Sequence, residues 1–430
     1  TGNQKRKFLA MRFDVNFPKN HSFELVMNRQ KFYPGTDFLN SVDPRYPGFP
    51  SYGQGSERNS NSFAVRSTLT RNIVNEARYA TSFGDSEFFA TISPADFEYM
   101  GGRLLGVDAA GITSPVATNS SSARSTPTYD LTDNVTWISG SHSISFGGQY
   151  KIIRSLGSAN NRIVPSVGFG IDSTEGTAFT MFNGTTMPGS TAAQQASARA
   201  LYATLIGRVL SYTTTAYLGA DGKYAENGPL FRAAKQTTYG LYVQDSWRMS
   251  PSFTLNFGVR WQPQSPWIAK SVGNYSRLES YDQIFGVSGL NNIFKPGTLT
   301  GSVPRVVALQ PGDEAYPGDY NNFAPTVGVV WSPDFGDKGF GRWLFGGAGK
   351  SVFRGGYSVS FVREGANLLE SINGSNPGGA LSLSRSLALG NLTAGTNLRD
   401  AGNPNLTPRP GVVGTSPAFP ITLSTADASN

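Results

Sequence analysis

Side chains over most of the chain switch between apolar and polar at every second position, in segments that come in pairs separated by short breaks. Leu9, Met11, Phe13, Val15 and Phe17 alternate with Ala10, Arg12, Asp14 and Asn16; after a break at 18–21 the pattern resumes at Phe23, Leu25 and Met27. Period two marks a strand with unlike faces, and a short polar break between two such runs predicts a hairpin. Four more pairs follow. Residues 63–69 reverse near Arg71 and Asn72 into 73–79, and 129–137 turn at 139–142 into 144–152. Residues 239–247 pass through Ser250 and Pro251 into 253–261, and 323–331 face 353–361 across a Gly-rich stretch at 334–349. Ten strands are predicted.

The connections alternate in length. Those between hairpins (34–61, 84–126, 155–236, 265–322 and the tail from 363) are long and rich in Gly, Ser, Asn and Pro, whereas most hairpin turns are two to four residues. Strands that cross a bilayer outward and back, with short periplasmic turns and long external loops, give this asymmetry. A propeller would repeat about every 40–45 residues, and no such period is found. Trp137, Trp247 and Trp331 each sit just before a turn, as does Phe17, which predicts an aromatic rim at one height. Asp133 and Asp245 fall in the apolar phase. Asp245 is close to the rim; Asp133 is deeper, so a bulge that turns it inward is expected.

Composition agrees with a barrel. Only 15% of the 430 residues are charged, Gly numbers 50 and aromatics reach 12%, so a charged disordered chain is excluded. The net charge of +7 is not concentrated in any basic run; Lys5, Arg6 and Lys7 are the densest group, and no nucleic-acid partner is expected. With no Cys and only His21 and His142, disulfides and multi-histidine metal centres are excluded. No catalytic residue, metal ligand or cofactor is assigned.

Other motifs reduce to structure. GGAGKS at 346–351 lacks the earlier Gly of a phosphate loop, its place being held by Leu344, and it leads into a strand. His142 begins a strand without a recognisable carboxylate partner, and His21 holds the matching place in the first hairpin. Asp313, Glu314 and Asp319 read as solvated loop charge rather than a Ca²⁺ site. An Ala- and Leu-rich stretch predicts one helix within 191–210. Ligand contacts are expected from loops 155–236 and 265–322, where Tyr and Phe could stack on a sugar or peptide; the individual ligand-binding residues are unknown.

The fourth hairpin, YGLYVQDSWRMSPSFTLNFGVRW at 239–261, resembles that of TonB-dependent outer-membrane receptors of the Oar-like type. The segments IVNEARY (73–79), GSHSISFGGQY (140–150), ALYATLIGRV (200–209), FGVSGLNNIFKPG (285–297), NNFAPTVGVVWSP (321–333) and FRGGYSVSF (353–361) follow the same order. The resemblance implies an all-β antiparallel transmembrane barrel in the bacterial outer membrane, with long extracellular loops and short periplasmic turns. It implies transport energised by the TonB–ExbB–ExbD system through a plug, with a carbohydrate, peptide or siderophore-like cargo and lipid around the wall. No plug, TonB box or aromatic-ended final strand is visible, and ten strands fall short of the roughly 22 of a plugged transporter. The expected organisation is the central part of the barrel at 1–362 and an extracellular loop or truncated tail at 363–430. A passive porin and a β-rich surface adhesin are the rival readings.

Overall fold

The fold is seen in a computed structural model that describes residues 5–32, 52–90, 94–100, 102–107, 111–112, 121–159, 164–228, 230–280, 282–285, 303–336, 338–347, 349–363, 365–374, 377–400, 403, 406 and 414–422. One antiparallel sheet dominates it. Its strands are β1 (Arg6–Phe17), β2 (His21–Phe32), β3 (Tyr52–Thr70), β4 (Ile73–Ala90), β5 (Ser122–Ser125), β6 (Thr128–Ser139), β7 (His142–Ala159), β8 (Leu230–Ser250), β9 (Phe253–Trp261), β10 (Trp267–Ala269), β11 (Phe323–Trp331) and β12 (Phe353–Ser358). β5 and β6 both lie between β4 and β7, so they are two lengths of one wall strand. β10 likewise continues β9 along β8. The wall therefore has ten positions, each paired with its sequence neighbour, as the alternating pattern predicts. The first hairpin reverses with Lys19 and Asn20 at φ 67° and 63°, the left-handed geometry that matches strand twist.

Register carries the apolar phase across the wall without a break. Phe13 pairs with Leu25, Leu25 with Phe63, Phe63 with Tyr79, Tyr79 with Leu131, Leu131 with Tyr150 and Tyr150 with Tyr239. Among the described residues no second layer covers this face: Phe13 is 59% exposed, Leu131 51%, Leu241 56% and Val327 46%. A contiguous apolar surface of this extent is stable only against a non-aqueous neighbour.

The aromatic residues show how the strands lean. Trp247 lies two residues beyond the row of Trp137, and Trp331 two beyond that of Trp247, each over two strand positions. One residue per strand, at about 3.3 Å rise and 4.8 Å separation, corresponds to a tilt of roughly 35° if these rings share a height, within the range of membrane barrels. A second rim lies above the first. Trp137 and Tyr129, Trp247 and Tyr239, Trp331 and Phe323, and Phe253 and Trp261 are each eight residues apart. Eight steps cover about 26 Å along a strand, or about 21 Å in height at that lean, near the roughly 25 Å of a lipid-facing band. Tyr150 and Tyr239 stack at 6.5 Å in the upper rim, as do Trp261 and Phe323.

Two expectations change. Several strands run far beyond the alternating runs, β3 to 19 residues and β8 to 21, because pairing continues past the apolar band, where the loop-side half of β3 is polar on both faces. Arg29 pairs with Glu57 there, on the apolar phase but above Met27 and Phe63. Asp133 is not turned inward. β6 stays in register with β4 and β7, and Asp133 remains on the apolar face midway between Trp137 and Tyr129, accepting 2.6 Å from Asn75 Nδ2. The neighbouring amide gives the carboxylate a partner, so no bulge is required.

The conventional hydrophobic core lies in the loops. Strands Leu104–Gly106, Ser166–Phe169, Val209–Leu218, Tyr224–Glu226 and Ala380–Ser386 form a separate sheet around Val167, Val209, Tyr212 and Leu392. The predicted helix is present as Ala192–Ile206, with a Thr191–Gln194 capping box and Gly207 ending it at φ 76°. Its buried contact is Ala203, whereas Leu201 and Leu205 are exposed. The motif at 285–297 lies almost wholly outside the described residues.

Substitutions on the wall separate its faces. Val243→Arg, midway between the two rims, should lower stability in lipid vesicles by about 2–4 kcal/mol, with Gln244→Arg on the other face within about 1 kcal/mol of the parent, by urea unfolding. Asp133→Leu should raise stability by about 1 kcal/mol, since it removes a carboxylate from the lipid-facing surface.

Candidate functional site

The face opposite the apolar band is polar and cross-linked. Arg12 bonds Asp14 at 2.7 Å and Glu24 at 2.8 Å, and Arg78 reaches Glu24 and Glu76 at 3.5 and 3.2 Å. Further along, Lys151 pairs with Asp130 at 2.7 Å, Gln149 donates to Asp130 at 3.0 Å, and Arg260 donates to Gln149 at 3.4 Å. Each exposed pair contributes little to stability by itself. Their common effect is a charged, hydrated track. Gly147 makes room for the Tyr242 ring, because a Cβ there would meet Tyr242 Cε1 at 2.9 Å; the Tyr242 hydroxyl donates to Asn134 Oδ1 at 2.8 Å.

Toward the loops this track opens into a cavity of about 970 Å³, bounded by the polar face of β1–β5, β7 and β8 and by the helix Ala366–Ile372. Arg58, Arg124 and Arg232 line it. Register explains their convergence. Arg124 and Arg232 flank Gly157 on one row, and Arg58 pairs with Gly84, so two glycines leave the space between the guanidinium groups open. Arg232 is paired: Nη1 meets Glu370 Oε2 at 3.2 Å, and Nη2 donates to the Gly374 carbonyl. No ion pair to Arg58 or Arg124 is found among the described residues. A smaller cavity of about 320 Å³ continues below it, sharing Asn28, Ser60, Ser82 and Thr128 and reaching Asp130 and Lys151.

A loop cluster closes over the polar face of β7 and β8. Ile153 and Ala234 of the wall pack with Trp267, Tyr275, Leu309 and Leu369. Tyr275 donates to Glu370 Oε1 at 2.5 Å, and burial, reinforced by the Glu370 charge, holds its phenol well above the usual range. In the separate loop sheet, burial and then Glu226 push Tyr212 up to about 12.

The structure redistributes the residues singled out in the sequence. Tyr212, Tyr217 and Tyr275, in the loops expected to stack on a ligand, are core residues. The arginines are what line the cavity. Nothing in a linear search joins them, because they lie 66 and 108 positions apart; only the register of β3, β5, β7 and β8 does so. His142 does have a carboxylate partner: its Nδ1 lies 2.6 Å from Asp245 Oδ2, and its ring stacks on Trp247 at 5.2 Å. The contact joins β7 to β8 on the outer face at the turn-side rim, so the pair gives Asp245 a partner outside the polar track. His21 Nδ1 meets Ser67 Oγ at 2.8 Å. Gly346 and Gly349 adopt positive φ in a turn that leads into β12, unlike a phosphate loop. Asp313 accepts from the Gln310 amide, a turn role. No cluster of metal-ligating side chains occurs among the described residues.

The sequence profile of the outer membrane beta barrel domain family matches residues 1–429. The chain belongs to that family. Its place is therefore the bacterial outer membrane, and the open apolar face of this barrel domain is the lipid-facing one. No curated protein matches the sequence. Among solved structures, the chain is similar to the ferric-catecholate import receptor Fiu of E. coli K12. In the closed form the identity is 13% and the TM-score 0.34, over 76% of this chain and 41% of that one. In the open form they are 12% and 0.35, over 76% and 44%. The barrel domain thus spans less than half the length of these structures.

The loop sheet should respond to alkali. The buried Tyr212 phenol stays neutral while an unfolded one ionises near 10, so its contribution is complete below about pH 10 and is lost as pH rises toward about 12. Tyrosinate absorbance followed beside unfolding should show Tyr212→Phe with a shallower alkaline loss and unchanged stability at neutral pH.

Proposed function

We propose that this domain is the central wall of a TonB-dependent transporter of the Oar-like type, and that the polar track carries an anionic ligand past the loops. Residues 1–362 supply the wall, and 363–430 supply extracellular loop structure, of which the helix Ala366–Ile372 overhangs the cavity. One observation carries the reading: Arg58, Arg124 and Arg232 converge on a cavity that leads into the polar face of an outer-membrane wall. Guanidinium groups present planar donors suited to carboxylate, phosphate or catecholate oxygens, and a partly enclosed site strengthens each contact. The long, folded loops offer capture surface on that side. In this reading the energy comes from TonB–ExbB–ExbD acting through a plug, and the wall performs no chemistry.

The porin reading shares the wall and differs in energy dependence. The adhesin reading requires the apolar strand faces to pack on a second sheet, and among the described residues they pack on none.

Uptake of matched anionic and neutral solutes by cells carrying the full-length protein tests the proposal. Arg58→Gln combined with Arg124→Gln should lower anionic uptake at least tenfold and leave neutral uptake unchanged. A protonophore should abolish the uptake; persistence after collapse of the proton gradient would favour the porin.

A further inference from the structure

One connection on the turn side breaks the rule set by the others. Three of the remaining turns are two residues long and the fourth three, but Trp331 and Phe353, which pair directly, are joined by residues 332–352. This segment folds as a short helix, Phe340–Phe345, fixed to the wall by a run of aromatic contacts. Trp331 meets Phe335 edge-on at 6.3 Å, Phe335 stacks on Phe345 at 5.4 Å, and Phe345 meets Phe353 at 5.2 Å. Gly341 is needed there, because a Cβ would lie 2.5 Å from the Phe335 ring.

The other side of the helix carries Phe340, Trp343 and Leu344, spaced so that they share one face. They are 73%, 77% and 50% exposed. The same segment carries Lys338, Arg342 and Lys350, against Asp334 and Asp337. Large apolar groups held outward by an internal aromatic brace, beside a basic fringe, are unsuited to water and suited to a lipid headgroup boundary. The brace begins at Trp331, itself in the lipid-facing aromatic rim, so the exposed face is continuous with a surface already in contact with lipid.

We infer that the segment 332–352 is an interfacial anchor, seating Phe340, Trp343 and Leu344 in the phospholipid leaflet on the turn side, with Lys338, Arg342 and Lys350 at its anionic headgroups. The anchor fixes the depth of the wall at β11 and β12. This chain has no Cys, so a spin label placed through Leu344→Cys reports one site in it.

The full-length protein is reconstituted in phosphatidylethanolamine–phosphatidylglycerol vesicles, with labels at Ser141→Cys and Leu241→Cys as water and hydrocarbon references. At position 344, collision with a water-soluble nickel chelate should fall at least fivefold below that at 141, and oxygen collision should approach that at 241. Phe340→Cys reads the same face if the first variant fails to fold. A label at 344 as accessible to the chelate as that at 141 would overturn the proposal. So would protection that arises only when periplasmic extract is added, which would make the face a protein-docking surface.

Discussion

Backbone pairing is the constraint from which the rest of this structure follows. A chain in hydrocarbon has no water to satisfy its amides and carbonyls, so each wall strand takes its hydrogen bonds from the strands beside it. Once the backbone is settled laterally, the two faces are free to differ completely. One became apolar and is left uncovered; the other became a track of ion pairs and amides running from Arg12 and Glu24 to the arginine cavity.

The result inverts the usual distribution of side chains. Phe13, Leu131 and Leu241 of the wall are exposed, while the fully buried residues concentrate in the connections, at Val167, Val209, Tyr217 and Tyr275. The loops are therefore folded bodies with their own apolar interiors. This gives them the rigidity to hold Glu370 against Arg232 and to bound a cavity of definite shape. Lipid supplies for the wall what the loop core supplies for itself.

How much of this is legible in the sequence depends on range. Alternation is local, so all ten wall strands and their phase are readable from the order of residues alone, and the helix ending at Gly207 is readable from a contiguous apolar stretch. Pairing is not local. Asp133 is unfavourable only while its strand is considered alone, whereas Asn75 reaches it from β4. His142 lacks a visible partner for the same reason, and the arginine cavity leaves no linear trace at all. Strand length is underestimated at the loop side, where the pattern loses its apolar members although pairing continues.

The stepped placement of the tryptophans has a topological consequence. A belt kept level while the strands lean makes the hydrogen-bonded rows climb around the wall as a ramp. Each added or lost strand shifts the ramp by about one residue, and each hairpin by two. An even shift keeps lipid-facing side chains facing lipid, and an odd one would turn a strand's two surfaces inside out. The hairpin is thus the smallest unit by which such a wall can widen or narrow without rewriting its alternation.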